Sequence, residues 1–213
     1  MITIEKARTW YEDADPVHDF EHVCRVYHMA ERLAQAEGAD LEIVRSAALL
    51  HDSRGSTPGG SGHARAEHHI ASADFAAEVL ALEGWPPERI QAVQHCIRAH
   101  RFRNNGEEPE TLEAKVLFDA DKLDVLGAIG AARTIAYAAL DGQPAYAEPS
   151  ESFIKTGQKE PGEAHSSYHE YLFKLCKIKD LIFTQSGKRV AEARHAFLVS
   201  FYEELQAECR GEK

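Results

Sequence analysis

The sequence predicts an all-α fold, on three observations. Apolar residues return at three- and four-residue steps along most of the chain, the period of a helix with one buried face. Gly38, Gly84 and the Pro86-Pro87 pair fall between these runs, where helices stop and start. No stretch alternates apolar and polar residues for long enough to make a sheet.

Each element follows from the same signals. A first helix is predicted over 3–14 and is broken by Asp15-Pro16. Phe20, Val23, Tyr27, Ala30 and Ala34 mark the inner face of the second, which Gly38 ends. Asp40 suits the N-cap of a third, with Leu41, Val44 and Ala48 turned inward. Residues 53–63, "SRGSTPGGSGH", are a loop by composition, either a mobile lid or a connector. Helices are predicted over 64–83, 88–100, 111–126 and 128–140, with "RFRNNGEEPE" as a loop between the second and third of these. The polar stretch 141–164 is too long for a plain connector and reads as a flap, an interface element (a homodimer contact, for example) or a disordered loop. Helices over 166–183 and 188–208 close the chain, the last with Val190, Phe197, Phe201 and Leu205 on its buried side.

The length of 213 residues suits one domain spanning 1–213. Thirty-five acidic against 24 basic residues leave a net charge of −11, which argues against a nucleic-acid polymer as partner. A small anionic substrate remains compatible, because a metal and a few cations make a local positive site. Cys24, Cys96, Cys176 and Cys209 form no C-x-x-C pair, so neither a zinc ribbon nor a redox motif is expected, and a reducing, cytoplasmic compartment is. "MITIEKARTWYEDAD" has no apolar h-region, and no run of about 18 apolar residues occurs, so neither a secretion signal nor a membrane span is expected.

The stretch "ALLHDSRG" carries the chemistry. An apolar helix heading into a core ends on His51-Asp52. Burying an uncompensated charge costs several kcal/mol, so a salt-bridge partner, a capping role or a metal ion is required. Three further clusters hold ligand-type side chains: "HDFEHVCRV" with His18, His22 and Arg25; "AEHHIASA" and "QHCIRAH" with His68, His69, His95 and His100; and "DADKLD" with Asp119, Asp121, Lys122 and Asp124. Imidazoles mixed with carboxylates suit a hard-to-borderline divalent ion such as Mn, Fe, Co, Ni, Zn or Mg. One His, a His-Asp pair and one further Asp would fill four positions and leave room for water and a substrate oxygen. A solvated acidic turn is the plain alternative for 119–124, but Phe118, Leu123 and Leu126 give that helix a buried side, where crowded carboxylates call for a cation.

His22 with Arg25-Val26, then "AALLHD", then "FDADKLDVLGAIGAAR", in that order, resembles the HD-domain metal-dependent phosphohydrolase superfamily, and most of all its small stand-alone bacterial hydrolases. "IRAHRF" and the tail "KLCKIKDLIFTQSGKRVAEARHAFLVSFYEEL" extend the likeness over most of the chain, although Phe173 stands where the family's tail often carries an acidic residue before the lysine matching Lys174. The resemblance implies an HD-type helical bundle with a central metal site. It also implies His22, His51, Asp52 and Asp121 as ligands to one divalent ion, and hydrolysis of a phosphoester or phosphoanhydride, of a nucleotide by family likeness alone. Arg25 and Lys122 are the expected phosphate-binding cations, Lys122 having an ion pair with Asp119 or Asp124 as its plain alternative. Asp52 or a nearby histidine is expected to take the proton of the attacking water. His18 is a donor to the ligands, a proton shuttle or a solvated residue, and His100 is the middle-region histidine expected in the cleft, where binuclear relatives recruit a second ion. Two other classes stay open: a di-iron oxygenase on an HD-like fold, and a non-catalytic signalling module on the same scaffold.

Overall fold

A computed structural model describes residues 2–11, 20–55, 62–102 and 106–213, with side chains from 68 onward within 62–102. His18, the Asp15-Pro16 break, most of the 53–63 loop and Arg103 lie outside the described residues. The chain is all-α, as its periodicity predicts, with no strand among the described residues. The helices are α1 (Ile4–Arg8), α2 (Phe20–Glu37), α3 (Leu41–Leu50), α4 (Gly62–Leu82), α5 (Pro87–Ala99), α6 (Leu112–Leu123), α7 (Gly127–Leu140), α8 (Glu151–Thr156), α9 (Ser167–Phe173) and α10 (Gln185–Cys209), with a 3₁₀ segment at Leu175–Leu181. No single helix is long and apolar enough to cross a membrane.

The described residues form two compact units: 1–121 with 183–187, and 122–182 with 188–213. In the first, α3 packs against α1, α2, α4 and α5. A helix surrounded in this way is apolar nearly all round, and Ile43, Val44, Ala47, Ala48, Leu49 and Leu50 are all buried. Asp40 caps its start, accepting from the Glu42 and Ile43 amides, as its position predicts. Gly38 and Gly84 take positive φ just past α2 and α4, the left-handed turn that ends a helix. The first helix is shorter than predicted, ending at Arg8.

Asp119, on α6, is fully buried. Its carboxylate accepts from the Phe183 amide (2.8 Å), the Thr184 amide (2.7 Å) and the Thr184 hydroxyl (2.6 Å). That hydroxyl in turn accepts from the Gly187 amide, so one buried carboxylate organises the start of α10.

Three features of the second unit differ from expectation. The helix predicted over 166–183 is a short α-helix followed by a 3₁₀ segment, whose Leu175, Ile178 and Leu181 recur at the three-residue spacing that eclipses side chains in that helix. The buried side of α10 is Ala191, Leu198 and Tyr202, while Phe197 is exposed. The predicted stripe is one residue out of register because Tyr202 stacks on Tyr171 with ring centroids 4.4 Å apart, a contact that periodicity does not reveal.

The third feature lies in 141–164, which is ordered around Glu163. This carboxylate accepts from the Ser150 amide (2.7 Å) and hydroxyl (2.8 Å), the Glu160 amide (2.6 Å) and His169 Nε2 (3.1 Å). The Ser150 amide, with these other donors, holds Glu163 down to about 2 against an ordinary 4.5. A carboxyl with a depressed folded pKa stabilises the fold above its unfolded pKa, and that contribution is lost as pH falls through the folded one. Wild type is therefore expected to lose more stability than Glu163→Gln between pH 4.5 and 2, read from urea midpoints at each pH. Equal losses would show that Glu163 contributes nothing to acid stability.

Candidate metal centre

The site forms where α3 ends. Three successive carbonyls of its last turn, where a helix runs short of its own donors, accept from nearby side chains. Ala48 O accepts from His51 Nδ1 (2.8 Å), Leu49 O from the Tyr11 hydroxyl (2.9 Å) and Leu50 O from the Ser53 hydroxyl (2.8 Å). The negative end of the helix dipole faces the same place and favours a cation there.

His51 is fully buried. A carbonyl only accepts, so His51 Nδ1 carries the hydrogen and Nε2 presents a lone pair. That Nε2 is buried with no hydrogen bond, and it lies 3.5 Å from Asp52 Oδ2. His22, 4 % exposed on α2, brings its Nε2 to 3.8 Å from the same oxygen and 3.5 Å from Asp121 Oδ1. Bonds of about 2.1 Å to one ion hold two ligand atoms about 3 to 3.5 Å apart, so these separations need only a small contraction. A lone pair aimed at a carboxylate is repulsive until a cation stands between them. The residues fit a divalent ion on that ground, and His22, His51 and Asp52 form one group that could hold it.

The other oxygen of Asp52 faces a second set. Oδ1 lies 3.1 Å from His68 Nε2 and 3.6 Å from His100 Nε2, and it too is buried without a well-aligned hydrogen bond. His100 repeats the arrangement of His51: it ends α5, and its Nδ1 donates to Ile97 O (2.5 Å), leaving Nε2 as an acceptor. His68 has the opposite tautomer. Arg101 donates to its Nδ1 (2.9 Å), so the His68 hydrogen sits on Nε2, toward Asp52. Asp52, His68 and His100 are thus a second group with ligand-type spacing, sharing Asp52 with the first. Burial alone would raise the Asp52 pKa, but the positive charge that His51, His68 and His100 carry whenever they are protonated, with the His68 hydrogen bond, holds its carboxyl well below the usual range.

The remaining candidates fall in different places. Arg25 is half-buried on α2, three residues beyond His22. Lys122 is buried and begins the second unit. His95 is committed elsewhere, donating to Glu107 (2.5 Å) while its Nε2 accepts from the Glu110 amide (3.2 Å). The His69 ring is 6.5 Å from that of His100. Asp124 forms a close ion pair with Arg133, and Asp119 holds residues 183–184, so of the three "DADKLD" carboxylates it is Asp121 that meets His22. Sequence reasoning gave no site role to Arg101 and missed Tyr11, whose hydroxyl is pushed well above its ordinary pKa by burial and by the Asp52 charge. Nothing local signals either residue, since both act across the fold.

Ligand-type histidines and carboxylates gathered at the ends of buried helices define a metal-site protein of all-α type. The profile of the HD domain family matches residues 19–126, and the chain belongs to that family. HD domains bind divalent metals, and the site residues with described side chains supply two groups suited to one.

Among curated proteins the chain is similar to the uncharacterized protein YpgQ of Bacillus subtilis, at 31% identity over 97% of this chain and 94% of YpgQ. The crystal structure of B. subtilis YpgQ in complex with ADP superposes with a TM-score of 0.71, at 28% identity and 97% coverage of both chains. An HD-superfamily hydrolase from Bacillus thuringiensis superposes with a TM-score of 0.68, at 31% identity over 97% of this chain and 96% of that one. These likenesses support a hydrolase of the HD superfamily.

Proposed function

We propose that the protein is a metal-dependent phosphohydrolase that cleaves a phosphoester or phosphoanhydride of a nucleotide. The observation carrying this reading is the buried His51 Nε2 lone pair facing the carboxylate of Asp52, with His22 and Asp121 beside it. The complex of the similar YpgQ with ADP supports a nucleotide as ligand. His22, His51, Asp52 and Asp121 would hold a divalent ion, which would supply an activated water and neutralise phosphoryl charge.

The chain's own residues do the rest. Asp52 stays ionised and orients the histidines around it. His100, with Nε2 free of hydrogen, accepts the proton of the attacking water, and the neighbouring Asp52 stabilises the imidazolium that results. The departing oxygen takes its proton from the His100 imidazolium so formed or from solvent, because His68 is neutral and directs its Nε2 hydrogen at Asp52. Arg25 offers its planar fork to the phosphate oxygens. The match of relatives over 97% of the chain supports reading 1–213 as one inherited domain.

The test is chelator-stripped protein given Mn, Co, Ni, Mg, Fe or Zn singly, against nucleoside mono-, di- and triphosphates. We expect metal-dependent release of phosphate or pyrophosphate and one tightly held ion per chain by elemental analysis. Tight metal binding without release from any nucleotide would sink the nucleotide reading. A di-iron oxygenase is the second reading, favoured by the second ligand group that shares Asp52. It needs His68 Nε2 without its hydrogen, which the Arg101 donor at Nδ1 opposes. Two irons per chain with oxygen uptake would establish it. The presence of His22, His51, Asp52 and Asp121 together speaks against a non-catalytic module.

A further inference from the structure

Arg54 follows the His51-Asp52 pair by two residues in the turn that leaves α3. Its amide donates to the hydroxyl of the fully buried Ser72 (3.0 Å), which fixes the backbone. Its guanidinium carbon sits over the face of Phe75, 3.5 Å from the ring centroid, and Trp10 packs edge-on against the same ring at 5.5 Å. Stacking on an aromatic face orients the guanidinium and leaves its N–H edge available. Only the Ser53 carbonyl, 3.5 Å from Nη1, is near that edge among the described residues.

Several arginines are committed to carboxylates. The chain carries 35 acidic residues against 24 basic ones. Arg45, Arg89, Arg98, Arg133 and Arg210 all pair with carboxylates. Arg54 is exposed and pairs with none among the described residues.

Placement makes it useful. His68, Ser72 and Phe75 are four and three residues apart, so they share one face of α4. His68 meets Asp52, Ser72 holds the Arg54 amide, and Phe75 holds the guanidinium. The rise from residue 68 to residue 75 is about 10 Å, within reach of a nucleotide whose reacting phosphate sits at Asp52.

We infer that Arg54, seated on Phe75, grips a phosphate of the substrate beyond the one attacked, so that the site takes nucleoside di- or triphosphates in preference to monophosphates. The inference rests on the phosphohydrolase reading and deepens it.

The test is calorimetric titration of the intact protein with ADP and with AMP, Mn²⁺ present. Wild type is expected to bind ADP at least about tenfold more tightly than AMP, and Arg54→Gln to lose that margin through a similar drop in ADP affinity. Phe75→Leu, which keeps the cation and removes its seat, is expected to lose about threefold. Arg32→Gln removes the same charge from an exposed position on α2, ten residues beyond His22, and should leave the margin intact. ADP binding equal in wild type and Arg54→Gln, or no ADP binding in wild type, overturns the assignment. If ADP binding depends on Arg54 while no nucleotide is hydrolysed, the assignment stands and the phosphohydrolase reading falls. Hydrolysis with ADP binding indifferent to Arg54 has the opposite meaning.

Discussion

Asp52→Ala is expected to purify as a helical protein that holds no divalent ion and turns substrate over at least about 10³-fold more slowly than wild type. Asp52 lies within 4 Å of four histidines, with Oδ2 near His22 and His51 and Oδ1 near His68 and His100. Its loss takes a ligand from both groups and the countercharge from any imidazolium formed there. A barrier raised by about 4 kcal/mol gives a 10³-fold loss, a modest figure for removing a metal ligand. The fold should survive, because Asp52 is partly exposed and the last-turn carbonyls of α3 are satisfied by His51, Tyr11 and Ser53 instead. Thermal shift gives an independent readout. An ion at 100 times its Kd stabilises wild type by about 2.7 kcal/mol, and the variant should show no such shift. Retained turnover, or a retained metal-induced shift, would refute the ligand assignment.

Asp119→Ala is expected to have the largest effect on stability, a loss of about 3 to 5 kcal/mol. The substitution strands the part-buried amide of Phe183 and the buried amide and hydroxyl of Thr184. Each buried donor left unsatisfied costs about 1 to 3 kcal/mol, and removing the acceptor spares none of that. Asp119→Asn keeps one good acceptor oxygen and should lose about half as much. Asp121→Ala, two residues along the same helix, should change stability far less, because its carboxylate meets His22 rather than backbone amides. Urea unfolding at unchanged slope measures all three. Similar midpoints for the Asp119→Ala and Asp121→Ala variants would show that the buried hydrogen bonds of Asp119 add no net stability.

The contrast between these two aspartates shows where sequence reading stops. Asp119, Asp121 and Asp124 lie within six residues, and composition makes them equivalent. Helical rotation of about 100° per residue sends Asp119 and Asp121 to opposite sides of α6, and Asp124 lies just past its end. What each side meets depends on residues far away in the chain: Phe183-Thr184 for Asp119 and His22 for Asp121, with Arg133 for Asp124. The resemblance singled out Asp121 by its place in an ordered pattern, not by anything local. His68 and His100 show the same limit. Sequence named both, but their tautomers follow from Arg101 and from the Ile97 carbonyl.

The sequence alone determined the all-α class, most helix boundaries, and the order of His22, His51-Asp52 and Asp121. Each of these is written in local signals: apolar period, glycine and proline punctuation, an Asp40 cap, and motifs a few residues long. Only the tertiary structure decided which carboxylate anchors backbone, that Asp52 faces two histidine pairs, and that Glu163 orders the long polar segment. It also decided that α10 buries Tyr202 rather than Phe197. Helix formation is governed by neighbours three and four residues away. The state of a buried polar group is governed by whatever the fold brings within about 3 Å of it, and that distance has no counterpart along the chain.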